Sequence, residues 1–119
     1  MIIPTMNISD VPRALAFYTG VLDFVVVHAW PEEAPAYVLL RRGEDELHLS
    51  GFPGKPFGYS AIVIVSEIDA LFATYRARGL DGSGKPDSPL HQGPLDQTWG
   101  TREFAADDPD GNRLVFQQR

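Results

Sequence analysis

A chain of 119 residues, 44% hydrophobic and 22% charged, is long enough to bury a core without disulfides or a structural metal, and its composition is globular. A formal net charge of −6 speaks against nucleic acid and suits a cationic small ligand, although charge alone favours the plainer reading that acidity keeps the protein soluble. Without cysteine there are no disulfides, thiolate nucleophiles or cysteine-held zinc, and without a long apolar run or a basic leader the expectation is a cytoplasmic protein with no membrane partner.

In chain order, TMNI (5–8) reads as a short strand. The next segment, SDVPRALAFY (9–18), reads as the entry of a helix, with Ser9 or Asp10 as N-cap and Pro12 in the first turn. Val11, Leu15, Tyr18 and Leu22 fall at helical spacing and give it an apolar stripe. Three strand-like runs follow: FVVVHAW (24–30), AYVLLRR (36–42) and ELHLS (46–50). The Gly/Pro-rich GFPGKPFG (51–58) reads as a linker.

The chain then repeats itself. SEIDALFATY (66–75) lies over residues 9–18 at an offset of 57, with serine on serine, acid on acid and tyrosine on tyrosine. IVIV (62–65) precedes it as TMNI precedes the first copy. Ile68, Leu71, Phe72 and Tyr75 form the second apolar stripe, and Gly79 ends the helix. A weak strand around DSPLHQ (87–92), then GTREFAA (100–106) and NRLVFQQ (112–118), complete the second half. Between the last two, Asp108-Pro109-Asp110-Gly111 is a turn signal and makes no claim on chemistry.

The expected fold is therefore α+β: one domain, 1–119, of two βαβββ modules, 1–50 and 59–119, joined by the linker 51–58. One copy is too small to cover its own sheet, so two copies or two chains must share a core. The helices would lie on the convex side of a curved, mostly antiparallel sheet, leaving a concave face for a ligand. Period-two alternation sorts the strands. Leu47, Leu49, Phe104, Ala106, Leu114 and Phe116 go to the helices. Glu46, His48, Ser50, Thr101, Glu103, Arg113, Val115 and Gln117 go to the hollow, as do Ile3, Thr5, Asn7, Ser60, Ile62 and Ile64. A one-residue register error would exchange the faces wholesale.

The doubled pattern, the entry SDVPRALAFYTGVLDF and the ending WGTREFAADDPDGNRLVF resemble the glyoxalase/bleomycin-resistance/dihydroxybiphenyl-dioxygenase group, the vicinal oxygen chelate fold, over essentially the whole chain. These motifs are specific for fold and weak for activity. The resemblance implies metal ligands on the first and last strand of each module, here Ile3, Glu46, Ser60 and Val115. Only Glu46 could bind a cation that needs about three or four protein ligands. The family's metal-dependent isomerase and lyase reactions are thereby placed in doubt, and no cofactor is expected.

The metal-free branch is similar in its QxWG-REF ending. What it implies is sequestration of a bulky cationic glycopeptide in a groove between the subunits of a homodimer. Such a groove needs aromatic surfaces, for which Trp30, Tyr37, Phe52, Phe57, Tyr59 and Trp99 are candidates, and carboxylates, for which Glu46 and Glu103 are. His48 and Ser60 complete the candidate ligand contacts. Each candidate has a plainer reading. The two glutamates could be solvated at the rim, Trp99 could pack at a sheet edge or dimer interface, and His48 could be a hydrogen-bonded cavity residue. His28 reads as structural, Arg102 as the partner of an acidic neighbour, and FPGKPF as either a lid or a linker. The alternative function is a metal-dependent enzyme of the same fold with an altered site built from Glu46, His48 and His91. A third is a stress or regulatory protein whose ligand the residues do not reveal.

Overall fold

The computed structural model describes residues 1–52, 57–82 and 88–119. The middle of the expected linker and lid (53–56), and Asp87 at the head of the weak strand, lie outside the described residues. The chain divides into two compact units: Met1–Tyr59 with Asp108–Asn112, and Ser60–Asp107 with Arg113–Arg119.

The first unit contains β1 (Thr5–Asn7), α1 (Val11–Gly20), β2 (Val25–Trp30), β3 (Tyr37–Arg42) and β4 (Asp45–Ser50). Its four strands are ordered β1-β4-β3-β2, with β1 parallel to β4 and the other pairs antiparallel. Asp10 supplies the α1 cap: its backbone is extended, and its carboxylate accepts from the Arg13 N–H at 2.9 Å. Pro12 sits in the first turn, where a missing N–H leaves no hydrogen bond unmade. Ala14, Tyr18 and Leu22 are buried with Met6, Ile8, Phe24, Val38, Leu40, Leu47 and Leu49, and alternation assigned Leu47 and Leu49 to the helix side.

A polar cluster is buried in the same unit. The Asn112 Nδ2 donates to the Asn7 carbonyl at 2.7 Å and to Asp108 Oδ2 at 2.9 Å, while its Oδ1 accepts from the Gly58 and Tyr59 N–H groups. Asp108 also accepts from the Tyr18 hydroxyl at 2.8 Å and from the backbone of Asp110 and Asn112. Burial, reinforced by Asp108, holds the Tyr18 phenol well above the usual tyrosine range. The Asp108–Gly111 turn closes with Gly111 at φ 82°, and Asp110 accepts from the Ser9 N–H and hydroxyl.

The second unit contains β5 (Ser60–Ile64), α2 (Ile68–Ala77), a 3-10 turn (Pro89–His91), β6 (Leu95–Asp96), β7 (Arg102–Asp107) and β8 (Arg113–Gln118). Its order, β5-β8-β7-β6, repeats that of the first sheet, with β5 parallel to β8. Phe104 and Phe116 stack at 4.9 Å and 13°, and Tyr75 meets both edge-on. The helix starts differ. Glu67 has a left-handed backbone (φ 54°) and no side-chain cap bond, so the Ile68 N–H is satisfied by Gln118 Oε1 at 2.9 Å.

Two expectations need correction. The described part of DSPLHQ is mainly the 3-10 turn, because Pro89 has no N–H for a ladder; the fourth strand is the two-residue β6, paired with Glu103 and Arg102. The apolar run containing His28 is an outer strand whose Val25, Val26, Val27 and Trp30 stay 46–59% exposed, so His28 is exposed as well and is no core residue.

Because Asn112 uses both acceptor and both donor positions, Asn112→Ala removes the partner of the buried Asn7 and Asp108 and unties the backbone at Gly58 and Tyr59. A loss of about 2–4 kcal/mol is expected. Tyr18→Phe, which removes one bond to a charged group, should lose about 1.5–3 kcal/mol. Urea unfolding of both variants measures the two losses.

Candidate functional site

In the first unit, the strand face opposite the buried leucines carries Tyr37 on β3 and Glu46 and His48 on β4. Tyr37 stands opposite Ser50 and Leu39 opposite His48, which makes Tyr37 and His48 diagonal neighbours on that face. Their side chains join: Tyr37 Oη lies 2.6 Å from His48 Nδ1, and His48 Nε2 lies 2.7 Å from Glu46 Oε2. Arg41, opposite Glu46 in the ladder, places a guanidinium nitrogen 3.6 Å from Glu46 Oε1.

An aromatic row leads away from this chain. The Tyr37 ring lies 5.3 Å from His48 and 6.1 Å from Trp30, and Trp30 lies 4.1 Å from His28. Phe52, Phe57 and Tyr59 are 43–53% exposed.

In the second unit, Ser60 is exposed at the start of β5, opposite Arg113. Glu103 on β7 is only 5% exposed. Its Oε2 accepts three neutral donors: the Thr101 hydroxyl at 2.6 Å, the Gln117 amide at 2.8 Å and the Trp99 indole N–H at 3.2 Å. Its Oε1 has no hydrogen-bond partner among the described residues. Arg119 donates to the Gln117 Oε1 at 2.9 Å, which turns the Gln117 NH2 towards Glu103. Burial pushes the Glu103 carboxyl upward, but the bonds from Thr101, Gln117 and Trp99 outweigh it and hold the group below the usual glutamate range. Trp99 itself remains 66% exposed.

Arg102 bonds Asp69 at 2.9 Å and Asp96 at 3.1 Å, as expected of a residue directed away from the Glu103 face. An open cleft of about 360 Å³ lies on this other side, bordered by Asp96, Arg102, Gln118 and Arg119. None of the candidate ligand contacts borders it, although Thr101, which holds Glu103, does.

His91, named above for the alternative metal site, lies in the second unit. It is 2% exposed, its Nδ1 lies 2.7 Å from the Ser88 hydroxyl, and its Nε2 lies 3.0 Å from Asp107 Oδ2. His48 likewise has both ring nitrogens engaged. Among the described residues no three His, Cys, Asp or Glu side chains gather as a metal site requires. Within the first unit, Glu46 and His48 already bond each other and their neighbours, so that pair alone offers too few free donors for a divalent cation.

Thr101 and Gln117 as holders of Glu103, and Arg41 as the neighbour of Glu46, were not anticipated as functional. Alternation placed Thr101 and Gln117 on the Glu103 face, but only the register of the last hairpin sets Gln117 opposite Glu103.

A carboxyl held low in the fold adds stability above its unfolded value, near pH 4.3, and loses it as pH falls through the folded value. The stability advantage of the wild type over Glu103→Gln should therefore be largest near neutrality and shrink below about pH 4. Urea midpoints of both proteins at pH 7 and pH 3.5 measure the change.

Among family models, the chain matches that of the Glyoxalase/Bleomycin resistance protein/Dioxygenase superfamily over residues 3–116. No curated protein matches it. Among solved structures it resembles a bleomycin-binding protein complexed with bleomycin, at 22% identity and a TM-score of 0.81, covering 100% of this chain and 98% of the other. It also resembles a bleomycin resistance determinant encoded on the transposon Tn5, at 21% identity and a TM-score of 0.80, covering 100% and 97%. A glyoxalase/bleomycin resistance protein from Catenulispora acidiphila is similar at 19% identity and a TM-score of 0.76, covering 99% and 96%. At these identities the structural likeness speaks for the fold.

Proposed function

The chain belongs to the glyoxalase/bleomycin resistance protein/dioxygenase superfamily, and from that premise we propose that it is a small-molecule binding protein that sequesters its ligand. The ligand is cationic or aromatic, of the bleomycin type. It is held without a metal in a groove at the interface of a cytoplasmic homodimer, each chain being one domain of two modules. Sequestration needs no catalytic step, since a held molecule cannot reach its target.

Glu103 carries this reading. A buried carboxylate is normally matched by a countercharge. Here three neutral donors keep it ionised, and the nearby cations are otherwise engaged: Arg102 with two aspartates and Arg119 with Gln117. The free Oε1 suits a ligand ammonium or guanidinium, and the exposed Trp99 ring beside it suits a flat neighbouring group. Trp30, Phe52, Phe57 and Tyr59 add exposed ring surface, and Tyr37, Glu46, His48 and Ser60 add polar contacts. The half-exposed Val25, Val26, Ile62 and Ile64 are the sort of surface a partner subunit would cover. No helix among the described residues is long and apolar enough to cross a membrane.

Calorimetry against bleomycin and a small set of planar cations tests the proposal. Saturable binding is expected, weakened about tenfold or more by Glu103→Gln, with a shallower salt dependence in both Glu103→Gln and Glu46→Gln. Absence of heat with every compound, or affinity unchanged by Glu103→Gln, would overturn it.

A further inference from the structure

One chain of titratable groups in the first unit is more ordered than polar contact with a ligand requires. Tyr37, His48 and Glu46 are linked end to end by contacts of 2.6 and 2.7 Å. The direction of the hydrogens follows from the far end. An ionised carboxylate can only accept, so His48 Nε2 carries its hydrogen towards Glu46. In the neutral imidazole Nδ1 is then the acceptor, and the Tyr37 hydroxyl donates to it. The phenol oxygen is left with its proton directed into an imidazole and its lone pairs directed elsewhere.

A hydroxyl donating to an imidazole whose second nitrogen is held by a carboxylate is the arrangement that activates oxygen nucleophiles. Tyr37 is half-buried rather than sealed, and the side chains of His48 and Glu46 are 18% and 14% exposed. Reagents can therefore reach the phenol, while its base is shielded from most of the solvent.

We infer that Tyr37, His48 and Glu46 form a proton relay that makes the Tyr37 phenol a nucleophile towards activated acyl compounds such as aryl esters. In the step, Tyr37 Oη bonds to the acyl carbon and its proton passes to His48 Nδ1. The bond from the acyl carbon to the aryl oxygen breaks, and the aryloxide leaves with the electron pair. The imidazolium then returns the proton to the aryloxide, so that an aryl alcohol and an O-acyl tyrosine are the products. His48 acts as the base and Glu46 positions it. This reactivity is a property of the free protein and stands whether or not it sequesters a cationic ligand.

The chain supplies its own reference. Tyr18 and Tyr75 are fully buried, whereas Tyr59 is 43% exposed and its hydroxyl has no hydrogen-bond partner among the described residues. Tyr59 is thus an accessible phenol without a relay. The experiment treats the full chain with p-nitrophenyl acetate at neutral pH and locates acetylated tyrosines by peptide mass spectrometry over time.

Tyr37 should be labelled about tenfold or more faster than Tyr59, a modest share of what a positioned base contributes. His48→Gln should bring Tyr37 down to the Tyr59 rate, Glu46→Gln should slow it partway, and Tyr37→Phe should remove that label alone. The Tyr59 rate should be the same in all variants, and the buried Tyr18 and Tyr75 should stay unlabelled, which reports that each is folded. A purely structural network predicts the reverse for His48→Gln, because releasing the phenol makes it more accessible and faster. Equal rates at Tyr37 and Tyr59 in the wild type, or an unchanged or faster Tyr37 in either His48→Gln or Glu46→Gln, would overturn the relay. The wild-type comparison decides the matter even if His48→Gln does not fold.

Discussion

The first unit depends on one buried asparagine. Asn112 closes a turn between the last two strands, yet its amide reaches the end of β1 at Asn7, the backbone at Gly58 and Tyr59, and the carboxylate of Asp108. Asp108 in turn takes the hydroxyl of Tyr18 from the middle of α1. Strand, helix and the chain leaving β4 thus converge on two neighbouring polar side chains, and both are nearly inaccessible to water. Buried polar groups specify a single arrangement only when every donor and acceptor is met. The four positions of the Asn112 amide are all used. Tyr18 is the apolar wall of the same cluster, its ring edge-on to Phe17 and Phe24. The core of this unit is therefore organised around hydrogen bonds as much as around its leucines.

The same accounting separates two glutamates that look alike in sequence. Glu46 meets an imidazole at one oxygen and faces a guanidinium across the other, so its charge has partners within its own unit. Glu103 meets a hydroxyl, a primary amide and an indole, none of them charged, and all at one oxygen. A carboxylate solvated by neutral dipoles stays ionised while its charge remains uncompensated. Treating the two as an equivalent anionic pair overlooks this difference. Glu103 carries a charge without a countercharge among its hydrogen-bond partners, and Glu46 ends a hydrogen-bonded chain.

How much of this could be read from the residues follows from the range of each signal. The duplication, the helices and the face assignments rest on local periodicity, and the clean alternation of ELHLS and NRLVF carried over into burial of Leu47, Leu49, Leu114 and Phe116. β6 has two residues, too few for a period, and Pro89 beside it drew attention to the wrong segment. Glu67 mirrors Asp10 in the repeat, but one more methylene and a left-handed backbone leave capping to Gln118, which lies far along the chain. The hold on Glu103 was half legible. Counting outward from the Asp108–Gly111 turn pairs Asp107 with Arg113 and so Glu103 with Gln117. The Tyr37–His48 contact was not legible, because it crosses a ladder diagonally and needs a register that no turn residue announces. Least visible was the role of Asp108 and Asn112, since a turn motif specifies its own backbone and says nothing of what its side chains reach.

At Val115, where the resemblance implies a metal ligand, the second sheet is aliphatic. Val115 on β8 stands opposite Ile62 on β5 and Ala105 on β7, so three aliphatic residues lie side by side across the strands. Ile62 and Ile64 are left 60% and 51% exposed in their unit. A cation needs ligands and a polar surround to offset its lost hydration, and this row offers neither. It offers apolar area, which favours the flat or aliphatic part of a molecule or a second protein surface. Two residues along β8, Gln117 turns its amide towards Glu103, placing the uncompensated charge at the end of the same strand as the aliphatic row. Apolar contact and one fixed anion, adjacent on one sheet, are what the proposed ligand would require of it, a hydrophobic body meeting the first and a cationic end the second.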